Sequence, residues 1–262
     1  MESFKSYISE TVGKAGLQYE LKVYNAMKSA GVPGLDPGGS PGKGFSNRGA
    51  GDIEASYDGK PFNIEIKASA KDQMGGTSFR YTMDTKTFTP ANEMDQDDLD
   101  LFLPIMKQKA VDIDNYIKAS WEEEPKQYHK MNRGVPIKVS YAARESLKKK
   151  GLTRKIATNI KAPVNFIIKH YNKKGVYYIN IGGAGLFYMG KNPLSLDVPE
   201  LKAEIQVELG LRFSGGKLSF PTEPKTPARS AGLRIQGRML TKTKSKYNLD
   251  NPDDIKKLFG EE

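Results

Sequence analysis

The chain has no cysteine, one tryptophan and two histidines in 262 residues. Without cysteine there is no disulfide, no thiolate metal centre and no cysteine nucleophile. His129 and His170 lie far apart and match neither a zinc-ligand spacing nor a His-Asn-His nuclease pattern, so both are expected to be structural. No apolar run approaches the roughly 18–20 residues that span a bilayer, so no membrane partner is expected. The first residues, MESFKSYISETVGKAG, hold no apolar segment of the secretory type. A reducing cytoplasm is the expected compartment, or the host cytoplasm were the chain viral. Hydrophobic residues at 37% and charged residues at 27% describe a globular chain, long enough for one large domain or two small ones.

Basic charge is plentiful, and it is unevenly placed. Residues 1–131 carry 16 Lys/Arg against 20 Asp/Glu, a balance of −4, and residues 132–262 carry 25 against 11, a balance of +14; together these give the net +10. A basic surface attracts polyanions, nucleic acid first.

Periodicity predicts a helix over about residues 11–30, with Leu17, Leu21 and Tyr24 on one face and Gly31-Val32-Pro33 ending it. Residues 31–51 contain eight glycines and three prolines and read as a long loop. A helix is expected over 104–121 with Pro104 in its first turn, and a short basic helix over 141–150. Residues 164–171 (VNFIIKHY) and 176–181 (VYYINI) read as strands. Gly182-Gly183-Ala184-Gly185 lacks the Lys-Ser/Thr of a phosphate loop and reads as a tight turn. From Ala203 to Phe213 apolar and polar residues alternate strictly, and Leu233–Met239 is the expected partner strand. The tail beyond Thr241 is expected to be loosely held. These elements suggest a division into 1–190 and a β-rich basic extension, 191–262.

The chemistry concentrates in GDIEASYDGKPFNIEIKAS, residues 51–69. Asp58-Gly59 between two alternating runs predicts a tight hairpin. Ile53 then faces Ile64, Ala55 faces Phe62, and Asp52 faces Glu65. Ile53, Ala55, Tyr57, Phe62, Ile64 and Ile66 share an apolar side, and Asp52, Glu54, Asn63, Glu65 and Lys67 share the other. Facing side chains lie roughly 4.5–5.5 Å apart, where like charges are unfavourable. A hard divalent cation removes that penalty, with Asp52, Glu65 and the Ile66 carbonyl as candidate ligands and Lys67 beside them. A solvated strand face carrying a Glu–Lys ion pair is the competing account.

An acidic residue ending one strand, twelve intervening residues and then Glu65-Ile66-Lys67 resembles the PD-(D/E)xK nuclease superfamily over roughly residues 10–70. The resemblance implies an α/β, restriction-endonuclease-like core, a mixed β-sheet flanked by helices, in the order helix, three antiparallel strands, helix, strand. The helix 104–121 and the strand 164–171 are the candidates for the last two elements. It further implies Mg²⁺, with Mn²⁺ as a substitute, and a glutamate on the preceding helix, matched by Glu20. Gly51 stands where the family often has proline, and Ser69 is a further candidate for positioning water. The implied activity is hydrolysis of phosphodiester bonds in double-stranded DNA, as an endonuclease that a homodimer would suit. Lys43 and Arg48 in the glycine-rich loop, and Arg212, Arg234 and Arg238 on the late strands, are candidate DNA contacts. A nucleic-acid-binding protein with an inactive core is the alternative. A third account takes VNFIIKHY and VYYINI as stacking platforms for RNA.

Overall fold

A computed structural model describes residues 4–35, 51–123, 137–219, 230–240 and 243–260, and divides the chain into two compact units. The first comprises residues 1–75, 162–207 and 238–262, and the second residues 76–161 and 208–237. The expected division at residue 190 is not where the units part: each is assembled from separated stretches of chain. Lys43 and Arg48 lie outside the described residues. Two sheets and six helices among the described residues make the protein mixed α/β.

In the first unit, α1 (Phe4–Ser29), β1 (Ile53–Tyr57) and β2 (Lys60–Lys67) come first. The hairpin turns at Asp58-Gly59, both with positive φ as a primed turn requires. Its register is the expected one, with Ile53 opposite Ile64 and Ala55 opposite Phe62. After the second unit's first passage come α5 (Asn165–Asn172), β7 (Tyr178–Ile181), β8 (Gly185–Tyr188) and, near the C-terminus, α6 (Pro252–Phe259). The sheet order is β1-β2-β7-β8, with β7 parallel to β2 and antiparallel to β8. Ile53, Ala55, Phe62, Ile64 and Ile66 are buried in one core with Val23 and Met27 of α1 and Ile255 and Leu258 of α6.

Three expectations are corrected here. Residues 165–172 form a helix, because Val164, Ile167 and Tyr171 are buried at helical spacing in a run too short for period alone to separate helix from strand. Phe166, Tyr171 and Tyr178 are core residues, so these segments offer no stacking platform through them. The C-terminal tail is docked: Asn251 caps α6 by accepting from the Asp253 N–H at 3.1 Å, Pro252 occupies the first turn, and Leu249 is fully buried. The Gly182–Gly185 run does make the tight β7–β8 turn, and a Cβ at Gly182 would stand 2.2 Å from the Ala68 carbonyl oxygen.

The second unit contains most of β3 (Met74–Thr82), then β4 (Thr87–Pro90), α2 (Gln96–Gln108), α3 (Ala110–Glu123), β5 (Ile137–Lys138), α4 (Tyr141–Lys149) and β6 (Lys155–Pro163). It closes with β9 (Gln206–Ser219) and β10 (Ser230–Met239), in the order β4-β3-β10-β9-β5 with β6 beside β9. The expected single helix from Pro104 is two helices, with Pro104 exposed inside α2. Val207, Leu209, Leu211 and Phe213 are buried in strict alternation, as their spacing predicts. Phe213 stacks on Tyr116 of α3 at 4.2 Å, and Tyr81 donates to the buried Asp114 at 2.7 Å.

Asn180 of β7, fully buried, ties the first unit together. Its Nδ2 donates to the Tyr19 oxygen at 3.1 Å, and its Oδ1 accepts from the Leu249 N–H at 3.0 Å. Tyr19 in turn donates to Asn248 Oδ1 at 3.3 Å. Asn180→Ala leaves the Leu249 N–H without its acceptor, and the expected loss is about 2 kcal/mol of stability in urea unfolding.

Candidate active site

The site forms where the hairpin ladder ends. Ile53–Ile64 is the last regular pair, and the Asp52 N–H then donates to the Ile64 carbonyl at 2.9 Å. Asp52 therefore sits one step out of register and does not simply face Glu65. Its carboxylate turns inward, and Oδ2 accepts from the Ile66 N–H at 2.8 Å. Gly51 permits this path, since a Cβ there would stand 2.7 Å from the Ile64 oxygen and 3.0 Å from its nitrogen.

Glu65 and Lys67 alternate with the buried Ile64 and Ile66 and so lie on the other face of β2. Lys67 Nζ lies 2.5 Å from Glu65 Oε1, with both side chains mostly buried. Tyr171 of α5 reaches the same oxygen and donates to Glu65 Oε1 at 2.9 Å, while the Gly75 N–H donates to the Tyr171 oxygen at 3.2 Å. Tyr171, 3% exposed, was not among the residues expected from the sequence. Its run reads equally well as a strand, and only as a helix does it come to β2.

The electrostatics follow from burial. Burial, then the neighbouring Glu65 charge, raises the Asp52 carboxyl to about 7, against the pull of Lys67 and the Ile66 N–H. Burial also raises Glu20 on α1, with Lys67 opposing and Glu65 adding to the rise. Burial disfavours the Lys67 ammonium, but Tyr171, Glu65 and Asp52 more than compensate, and its pKa is raised. Glu20, Asp52, Glu65 and Lys67 are thus one interacting group.

The donor set suits a hard cation. Among the described residues, the hydrogen bonds to the two carboxylates fall on Asp52 Oδ2 and Glu65 Oε1, leaving one oxygen of each for a metal. No three His, Cys, Asp or Glu side chains among the described residues converge as a ligand cluster. Two carboxylates, the Ile66 backbone and water are what the hairpin offers. Ser69 is otherwise engaged: its hydroxyl donates to Asp72 Oδ1 and its N–H to Asp72 Oδ2, both at 3.1 Å. Arg212 and Arg234 lie in the second unit, and Arg238 begins the last stretch of the first.

Compared with protein-family models, curated proteins and solved structures, the chain gives no match in any of the three. Among the described residues no helix is long and apolar enough to cross a membrane.

The raised Asp52 pKa has a thermodynamic signature. The folded, metal-free protein holds a proton near pH 7 that the unfolded chain releases near pH 4, so folding stability is greatest below about pH 4 for this group and is lost as pH rises through 7. In EDTA, melting is expected roughly 5 °C higher at pH 5 than at pH 7.5. Asp52→Asn is expected to remove most of that difference.

Proposed function

We propose that the protein is a divalent-cation-dependent nuclease that hydrolyses phosphodiester bonds within DNA. One observation carries the reading. Asp52 and Glu65 are gathered at the end of a hairpin with a charged lysine, at a cost in desolvation and repulsion that a bound cation relieves.

The restriction-endonuclease-like core is part of the proposal. In its favour, α1, the β1–β2 hairpin and then α5 and β7 follow in chain order, with β7 parallel to β2. On this reading the last helix and strand of the core would be α5 and β7, in place of residues 104–121 and 164–171. Against it, β3 pairs in the other sheet and not beside β2.

Mg²⁺ or Mn²⁺ on Asp52 and Glu65 would supply Lewis acidity toward the phosphate and a more acidic water. The chain's own groups do the rest. Lys67 stays protonated at working pH, so it acts as a hydrogen-bond donor that orients water and neutralises charge on the phosphate, not as a base. Tyr171 and Lys67 fix the Glu65 carboxylate from two sides, and the Ile66 N–H fixes Asp52. Glu20, half-buried nearby, adds negative charge that favours cation binding. Hydrolysis breaks one P–O ester bond, joins the water oxygen to phosphorus and leaves a phosphomonoester and an alcohol. A homodimer would place two such sites for cutting both strands.

A second reading, a DNA-binding protein without hydrolysis, is favoured by the closed Lys67–Glu65 ion pair. Supercoiled plasmid separates the two. Nicking is expected with Mg²⁺ or Mn²⁺ and not in EDTA, and Asp52→Asn, Glu65→Gln and Lys67→Ala should each slow it at least about 100-fold. Tyr171→Phe should slow it about tenfold and raise the Mg²⁺ concentration required. Binding with no nicking under any metal would establish the second reading.

A further inference from the structure

The second unit's sheet has an apolar face, with Phe79, Tyr81, Leu211, Phe213, Leu233 and Ile235 buried. By alternation its opposite face carries Gly76 and Arg80 on β3, Arg234 and Gln236 on β10, and Gly210 and Arg212 on β9. These three strands are adjacent, in the order β3-β10-β9. The Arg234 guanidinium lies across Gly76, where a Cβ would stand 2.6 Å from its Nε and 3.0 Å from Nη2. Gly210 lies beside Gln236, a Cβ there being 3.8 Å from the Gln236 carbonyl oxygen. Arg154, just before β6, is fixed to β9: its carbonyl accepts from the Phe213 N–H at 2.9 Å, and its Nη2 donates to the Phe213 carbonyl at 3.5 Å.

Three guanidinium groups are thereby brought together. Burial, then Arg154, then Arg234 push the Arg212 pKa below its ordinary value. Carboxylates crowded together can be discharged by taking up a proton, but arginine keeps its charge at any working pH. Relief has to come from a negative group. Glu208, four residues before Arg212 and on the same face by alternation, is one carboxylate against three cations. Among the described residues, the buried Nε atoms of Arg154 and Arg234 have no hydrogen-bond partner, and neither has Oε1 of Gln236, which is 8% exposed.

We propose that Arg154, Arg212 and Arg234 form a seat for backbone phosphate of duplex DNA on this sheet face. Guanidinium forks match phosphate oxygens in pairs, and glycines at two neighbouring positions keep the surface low enough for a sugar-phosphate chain to approach. That the polyanion is DNA rests on the nuclease reading; the seat itself needs neither metal nor hydrolysis.

The test is fluorescence anisotropy of a short labelled duplex with the full chain in EDTA, across a salt series. Arg154→Gln, Arg212→Gln and Arg234→Gln are each expected to weaken binding about tenfold at low salt and to flatten the slope of log affinity against log salt by about one. Lys202→Gln, an exposed charge of the first unit, controls for net charge and is expected to change little. Arg234→Lys keeps the charge but loses the fork, and should fall between wild type and Arg234→Gln. Thermal melting without DNA reads folding separately. Unchanged affinity and slope in all three glutamine variants overturns the seat, as does an equal loss in Lys202→Gln. A protein that binds through these arginines but never nicks plasmid keeps the seat and loses the nuclease; one that nicks normally with all three replaced does the reverse.

Discussion

Two carboxylates brought together out of water must share a proton, find a cation or separate. In the first unit separation is blocked, because Ile53 and Ile64 lock the hairpin on one side and the parallel pairing of β2 with β7 locks it on the other. Lys67 neutralises Glu65, and Asp52 answers by holding its proton to about pH 7. Much of the unit serves this arrangement. The N–H of Ile66 orients one acid, Tyr171 orients the other, and Asn180 holds the helix that carries Glu20 through the adjacent Tyr19.

The same conflict occurs with opposite sign in the second unit, and its resolution differs for a chemical reason. A carboxyl can be discharged by a proton, so a cluster of acids is stable without a cation at moderately low pH. A guanidinium cannot be discharged in this way. The arginine cluster is relieved by a counter-anion, and the acid cluster by either a counter-cation or protons. The two sites should therefore differ in their response to pH, the first strongly and the second hardly at all.

How much of this was legible depends on the range over which each feature is determined. The hairpin was legible because its turn, alternation and register are all local to residues 51–69. The strand from Gln206 was legible because strict alternation persists long enough to exclude a helix. The segment containing Tyr171 was not, since eight residues rich in β-branched and aromatic side chains fit both periods and only packing decides. Asp52's inward turn was also hidden, for it depends on Gly51 crossing the Ile64 backbone. The docked tail was missed although its signals were present: Asn251-Pro252-Asp253-Asp254 is a capped helix start with acids in its first turn. The arginines of β9 and β10 were visible as residues, but Arg154 joins them only through the pairing of its backbone with Phe213.

The interleaving of the units has a consequence for the order of synthesis. The first needs Leu249, Ile255 and Leu258 from its last stretch to complete its core, and the second needs residues 208–237 for its central strands. Neither can close before those residues have been synthesised, so long-range contacts are made last. A nascent chain already carrying Asp52, Glu65 and Lys67 lacks the finished scaffold that holds them. Whatever chemistry this site performs is withheld until Leu258 is in place.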